Sequence, residues 1–210
     1  MRLRSLRRQK KMKQKYKTLK KIIIVAVAVF VIAGFAKERF AAKEKDAGIG
    51  KGEDELESIL GKSAPDFRFT DLEGNEYTKE SLRGKKTVLF FNEGLACYPA
   101  CWDEMVALSR DSRINNEGMV VLSVVVDRKE SWENAIGKMP DLGEIKEAFD
   151  ENGEASKAFG VLGLKSSMHA GVPGHTYVII DREGVIRSVL DDPKMGNNVA
   201  KVFVELGRIN

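Results

Sequence analysis

Only two cysteines and two histidines occur in 210 residues. Two thiols cannot staple a disulfide-rich secreted scaffold, nor supply a four-cysteine zinc site. Two imidazoles cannot make a histidine-rich metal tract. The glycines never fall as GxGxxG or as a Walker A loop, and no HExxH occurs. The commonest dinucleotide, nucleoside-triphosphate and zinc-protease signatures are therefore missing. Acidic residues are absent from 1–21, a stretch that carries eleven of the 35 lysines and arginines. The rest of the chain is acidic, and residues 63–210 hold 18 basic against 24 acidic side chains. An acidic globular part argues against a nucleic-acid partner. What is present suffices for a packed core, since 43% hydrophobic against 31% charged residues excludes global disorder.

One long apolar run exists, IIIVAVAVFVIAGFA over 22–36. As a helix it spans about 22 Å against a hydrocarbon core of roughly 30 Å. Lys17, Lys20 and Lys21 can snorkel to extend it. The expected organisation is a basic cytoplasmic tail over 1–21, a transmembrane anchor over 22–36, a polar stalk over 37–57 and a folded domain over 58–210. Eleven positive charges on one flank keep the N-terminus in the cytoplasm and place the domain outside, as a single-pass protein of the cell membrane. A cleaved signal peptide is the competing reading, because Gly34-Phe35-Ala36 spaces small residues for cleavage. A buried core helix fits least well beside so charged a flank.

From residue 63 the pattern alternates. Asp66–Thr70 and Glu76–Thr78 read as a hairpin turning at Gly74, and Ser81–Gly84 as a short helical turn. Thr87–Phe91 and Met119–Val126 are continuous apolar runs, the mark of strands buried on both faces. Residues 99–113 predict a helix, as do Glu130–Lys138, Glu151–Phe159 and Asn197–Leu206. Thr176–Ile180 and Val185–Val189 flank the turn residues Asp181-Arg-Glu-Gly184. A parallel βαβ unit, a closing hairpin and a last helix describe an α/β fold, a mixed central sheet with helices on both faces.

Both cysteines fall in Cys97-Tyr-Pro-Ala-Cys101, between a buried strand and a helix. A helix N-terminus offers free N–H groups and partial positive charge, which stabilise a thiolate. Pro99 suits an early helical position. A spacing of four on a helix brings the Cα atoms to about 6 Å, within reach of a disulfide. Cys97, nearer the helix end and more exposed, is the expected attacking thiolate, and Cys101 the resolving thiol. Two other readings stand beside redox chemistry: an inert structural disulfide, and a metal site of two thiolates and a histidine. Trp102 reads as packing more than substrate contact, Met168 as core, and Glu93 as a proton shuttle or, more blandly, a solvated loop charge.

Gly61-Lys-Ser-Ala-Pro65-Asp-Phe67, Asp71-Leu-Glu-Gly74, Leu82-Arg-Gly84-Lys-Lys-Thr-Val-Leu-Phe-Phe and Gly174-His175-Thr-Tyr-Val-Ile-Ile-Asp181-Arg-Glu-Gly184 resemble the redoxin domain of the alkyl hydroperoxide reductase/thiol-specific antioxidant (AhpC/TSA, peroxiredoxin-like) superfamily. The resemblance covers roughly 58–208. It implies a thioredoxin-like fold with an N-terminal β-hairpin extension, and thiol–disulfide or peroxide chemistry at Cys97 and Cys101. The implied partners are a protein disulfide or peroxide substrate and an external thiol reductant, with no bound organic cofactor. Two departures matter. The threonine and proline that precede a peroxidatic cysteine are replaced by Gly94 and Phe90, which removes a hydroxyl expected to orient peroxide. The cis-proline of thioredoxin-like reductases has its nearest candidate in Pro173, about two residues early, so His175 or Thr176 takes that place. His175 is thus a third expected site residue, where peroxiredoxins carry an arginine that assists the peroxidatic thiolate. The Cys-x-x-x-Cys spacing also resembles Sco-type copper chaperones of the same fold, with Cys97, Cys101 and His175 (or His169) as ligands.

Overall fold

The computed structural model describes residues 54–209. The expected tail and anchor lie outside the described residues, as does the expected stalk except for its last turn, 54–57, which is helical. Leu56 in that turn is buried, so the packing of the domain begins before residue 58. Among the described residues no helix is long and apolar enough to cross a membrane.

Strands β1 (Arg68–Thr70) and β2 (Glu76–Thr78) form the expected hairpin, in register Phe69 to Tyr77. Then follow β3 (Lys86–Phe91), helix α1 (Ala100–Arg110), β4 (Met119–Val125), α2 (Lys129–Ile136), β5 (Glu147–Phe149), α3 (Glu154–Ala158), β6 (Thr176–Ile180), β7 (Ile186–Asp191) and α4 (Val199–Arg208). The seven strands lie in the order β2-β1-β5-β4-β3-β6-β7. The pairs β3–β4 and β4–β5 are parallel, and the others are antiparallel. This is a thioredoxin-like sheet, with the hairpin added at its edge through β5.

Two apolar layers explain why the central strands show no polar face. Side chains alternate along a strand, so Val88 and Phe90 of β3 enter one layer while Leu89 and Phe91 enter the other. Strand β6 does the same, with Tyr177 and Ile179 on one side and Val178 and Ile180 on the other. The first layer is covered by Met105 and Leu108 of α1, Trp132 of α2 and Val202 and Leu206 of α4. The second is closed by Phe67, Phe159 and Ala155. Lys86, buried at the start of β3, donates from Nζ to the carbonyls of Leu206 and Ile209. It thereby satisfies carbonyls left open at the end of α4.

The strand β5 was not expected. Three residues, Glu-Ala-Phe, are too few for a periodicity, and they run parallel to β4 only because α2 and a 3₁₀ turn at Pro140–Glu144 return the chain there. The helix expected over Glu151–Phe159 is the shorter α3, entered through Gly153 at φ +67°.

Candidate active site

The end of β3 is bent back sharply before α1. Asn92, fully buried, donates from Nδ2 to Phe90 O and accepts from the N–H of Gly94, at 3.0 and 2.8 Å. Gly94 has φ +54°, and a Cβ there would collide with the Asp127 carboxylate. That carboxylate accepts the Leu95 N–H at 3.0 Å, and burial pushes its pKa up. The place of the missing threonine is therefore one that only glycine fills. Trp102 closes the turn by donating from Nε1 to Gly94 O at 3.0 Å, while its ring meets Tyr98 edge-on. Trp102 thus packs and pins the loop.

Cys97 and Cys101 are joined as a disulfide, with Cα atoms 5.4 Å apart. Cys97 precedes α1, and the N–H of Cys101 donates to its carbonyl at 3.1 Å. The pair sits at the positive end of an eleven-residue helix. The greater exposure expected for Cys97 is not found. Cys97 is 2% exposed and Cys101 fully buried. Tyr98 beside them is 65% exposed, and Met195 Sδ lies 3.8 Å from Cys97 Sγ, so a methionine covers the outer sulfur.

His175 is fully buried and places Nδ1 3.7 Å from Cys101 Sγ. Its ring stands edge-on to Phe90. Its backbone N–H donates to Ser166 Oγ, and its carbonyl accepts the Asp192 N–H. Burial lowers its pKa, which keeps the imidazole neutral. The structure thus unites all three expected residues, but it sets the histidine against the inner sulfur rather than the expected attacking one.

Two residues that the sequence reading missed extend this contact. Tyr177 OH lies 2.9 Å from His175 Nε2 and 2.7 Å from Glu104 Oε1. Glu104 is buried in α1, accepts the Asn198 N–H on the same oxygen at 3.1 Å, and leaves Oε2 without a partner among the described residues. Burial raises the Glu104 pKa, opposed by those two hydrogen bonds. The signal for Glu104 was a carboxylate on the apolar face of α1, three residues after Cys101. For Tyr177 there was none, since an aromatic in a buried strand is ordinary.

Other expectations are corrected. Glu93 is neither solvated nor turned to the sulfurs: it is 3% exposed, and its carboxylate binds the N–H of His169 and the His169 ring at 2.9 and 2.8 Å. His169 is held there and does not reach the cysteines as a ligand. Met168 is 62% exposed, not core. Among the described residues the cis peptide bond is Tyr98–Pro99, and Pro173 instead bridges to Leu162. No cluster of three or more histidine, cysteine or acidic side chains among the described residues is arranged to hold a metal.

A buried cysteine pair at a strand-to-helix turn of this sheet defines a thioredoxin-fold protein of the redoxin type. The AhpC/TSA family model matches residues 60–189, and the chain belongs to that family. Among curated relatives, the thiol-disulfide oxidoreductases ResA of Bacillus thuringiensis subsp. konkukian and Bacillus cereus are each 29% identical over 128 residues. That match covers 60% of this chain and 66% of each relative, just under two thirds of their length. Enterococcus faecalis AhpC superposes with a TM-score of 0.62 at 22% identity, covering 71% of this chain and 91% of that one. A peroxiredoxin-like protein from Aquifex aeolicus gives 0.59 at 19%, covering 71% and 86%. At such identities the two structures speak for the fold.

Proposed function

We propose that this chain is a membrane-anchored, extracytoplasmic thiol–disulfide oxidoreductase working through Cys97 and Cys101. The observation that carries it is the Cys97–Cys101 disulfide at the amino end of α1 with an imidazole against its inner sulfur. The likeness to the ResA oxidoreductases supports the same reaction. The basic run over 1–21 and the apolar run over 22–36 support the anchor and its orientation.

The thiolate of Cys97 attacks a substrate disulfide, forms a Cys97–substrate disulfide and releases the first substrate thiolate. Cys101 loses its proton and attacks the Cys97 sulfur. The internal disulfide forms, and the second substrate thiolate leaves. Two electrons pass to the substrate, and an external thiol reductant returns two. Cys97 takes the attacking role because it precedes α1, with exposed Tyr98 next in the chain and the Met195 thioether as the cover over its sulfur. His175 serves Cys101, which is fully buried. With Gly94 where a hydroxyl would hold peroxide, a disulfide is the preferred substrate.

One observation favours a second reading, a copper-binding chaperone. In the disulfide form, which itself offers no metal-holding cluster among the described residues, His175 Nδ1 lies 3.7 Å from Cys101 Sγ and Met195 Sδ 3.8 Å from Cys97 Sγ; reduction would add two thiolates to them, a soft donor set suited to Cu(I) as cargo.

The test uses the full chain in detergent, reduced and metal-free, offered a disulfide, hydrogen peroxide or Cu(I) in parallel, with thiols followed by mass. Rapid loss of both thiols to one internal disulfide, fastest with the disulfide substrate and abolished by Cys97→Ser, is the expected result. Turnover that survives Cys97→Ser overturns the reading. Slow oxidation with one-to-one Cu(I) uptake favours the chaperone.

A further inference from the structure

Cys101 is fully buried, yet once reduced it must lose a proton each time it resolves a mixed disulfide. The hydrogen bonds around it offer that proton a path. Glu104 Oε1 accepts the Asn198 N–H and faces the Tyr177 hydroxyl at 2.7 Å. With Glu104 ionised, Tyr177 donates to it. The phenol oxygen must then accept from His175 Nε2, 2.9 Å away. In the reduced chain that assigns the imidazole proton to Nε2 and leaves Nδ1 to accept the Cys101 S–H; in the disulfide shown, where Cys101 carries no proton, the two atoms lie 3.7 Å apart and the Gly196 backbone also meets the ring.

We propose that His175, Tyr177 and Glu104 form a proton relay that carries the Cys101 proton to a buried carboxylate during the resolving step. The inference rests on the thiol–disulfide reading above. Three protons shift by one place each. The Cys101 S–H proton passes to His175 Nδ1, the Nε2 proton to the Tyr177 oxygen, and the Tyr177 proton to Glu104 Oε1. The imidazole changes tautomer and stays neutral throughout. Negative charge moves from Glu104 to the Cys101 sulfur. That thiolate then attacks Cys97, the sulfur–sulfur bond forms, and the substrate thiolate leaves. When a reductant attacks Cys97, Cys101 departs as a thiolate, and the same shift in reverse returns its proton.

Three features fit this use. Glu104 is 1% exposed with one oxygen unpartnered among the described residues, a costly arrangement for a carboxylate that only packs. Burial raises the Glu104 pKa, which brings it toward the range where it can take a proton from a thiol. Burial lowers that of His175, so the proton passes through the ring rather than resting on it. The charged groups that face the relay are Asp191 and Asp192 at the end of β7, beside His175, with Asp192 also beside Glu104. Burial would raise Asp192, but hydrogen bonds from Asn198 and the N–H groups of Gly196 and Lys194 hold it below the usual carboxylate range, so it stays charged. Glu104 and Tyr177 are positioning residues that act through His175.

The test is rapid mixing of the reduced full chain with a small aromatic disulfide between pH 5 and pH 9. The first, concentration-dependent phase reports attack by Cys97. The second, first-order phase reports resolution by Cys101. Glu104→Gln preserves shape but cannot take up the proton, and Tyr177→Phe breaks the chain at another link. Both are expected to slow the second phase by about 10²-fold at pH 7 and to leave the first unchanged. Both should also make the second phase climb about tenfold per pH unit, because hydroxide must then remove the proton. Wild-type rates and an unaltered pH profile in both variants would overturn the relay, as would equal slowing of both phases. Failure of the parent reading looks different: the wild-type chain itself would then show no mixed disulfide, and none would be trapped in Cys101→Ser.

Discussion

The Glu93 carboxylate and the His169 ring, 76 residues apart, meet at 2.8 Å, and the contact ties the loop entering Cys97 to the loop before β6. The two partners are unequal. Glu93 is buried and also accepts the N–H groups of Met168 and His169, whereas the His169 side chain is about half exposed. Glu93→Ala therefore strands two amide donors and should cost about 2–3 kcal/mol. His169→Ala leaves those donors satisfied and should cost less than about 1 kcal/mol. Urea denaturation of both variants checks this, and equal costs would mean that the contact with the His169 ring, not the amide contacts, holds the loop.

Gly94→Thr supplies the residue type of the peroxidatic motif, but it should not supply peroxidase activity. The site has φ +54°, and a Cβ meets Asp127. A β-branched residue there should cost about 3 kcal/mol or more. A large drop in melting temperature, with no gain in peroxide consumption, is the expected result.

Glu147 gives the fold a pH dependence. It is buried beneath α2 and accepts the Trp132 Nε1–H at 2.6 Å, and burial raises its pKa to about 7. An unfolded glutamate titrates near 4.3. Between these values the folded state holds the extra proton, so stability falls as pH rises through the interval. Glu147→Gln keeps an oxygen for Trp132 and removes the titration. The variant should be more stable than wild type at pH 8 by up to about 3 kcal/mol, and little different at pH 4. Melting curves at the two pH values decide it. A constant difference between variant and wild type would show that Glu147 does not titrate there.

Met195 covers Cys97 from a backbone position at φ +49°. Met195→Ala uncovers that sulfur. In the reduced chain Cys97 should then alkylate several-fold faster with iodoacetamide, while Cys101 stays protected beneath it. Peptide mass mapping separates the two thiols. Unchanged Cys97 labelling would mean that Tyr98 or the turn itself sets access.

Much of the fold was legible because its central strands are short and largely apolar. Thr87–Phe91 and Thr176–Ile180 lie within the observed β3 and β6, and Asp181–Gly184 turns as its composition implies. The cysteine pair stood out because no other thiol competes with it. His175 was reached through resemblance, and its partners were not reached at all. A tyrosine facing one layer of a buried strand looks the same whether it packs or relays.

The sequence by itself determined the local chemistry: two thiols four residues apart at the start of a helix, an apolar two-faced sheet, an acidic stretch following a basic and an apolar one. Those are properties of neighbours in the chain, set by periodicity and composition. Tertiary structure decided which groups meet. β3 and β6 pair Phe90 with Tyr177, which brings His175 beneath α1, 74 residues from Cys101. The same packing buries Glu104 against Tyr177 and turns Glu93 away to His169. Contacts of that separation depend on sheet register and on how helices dock, and no local pattern encodes either.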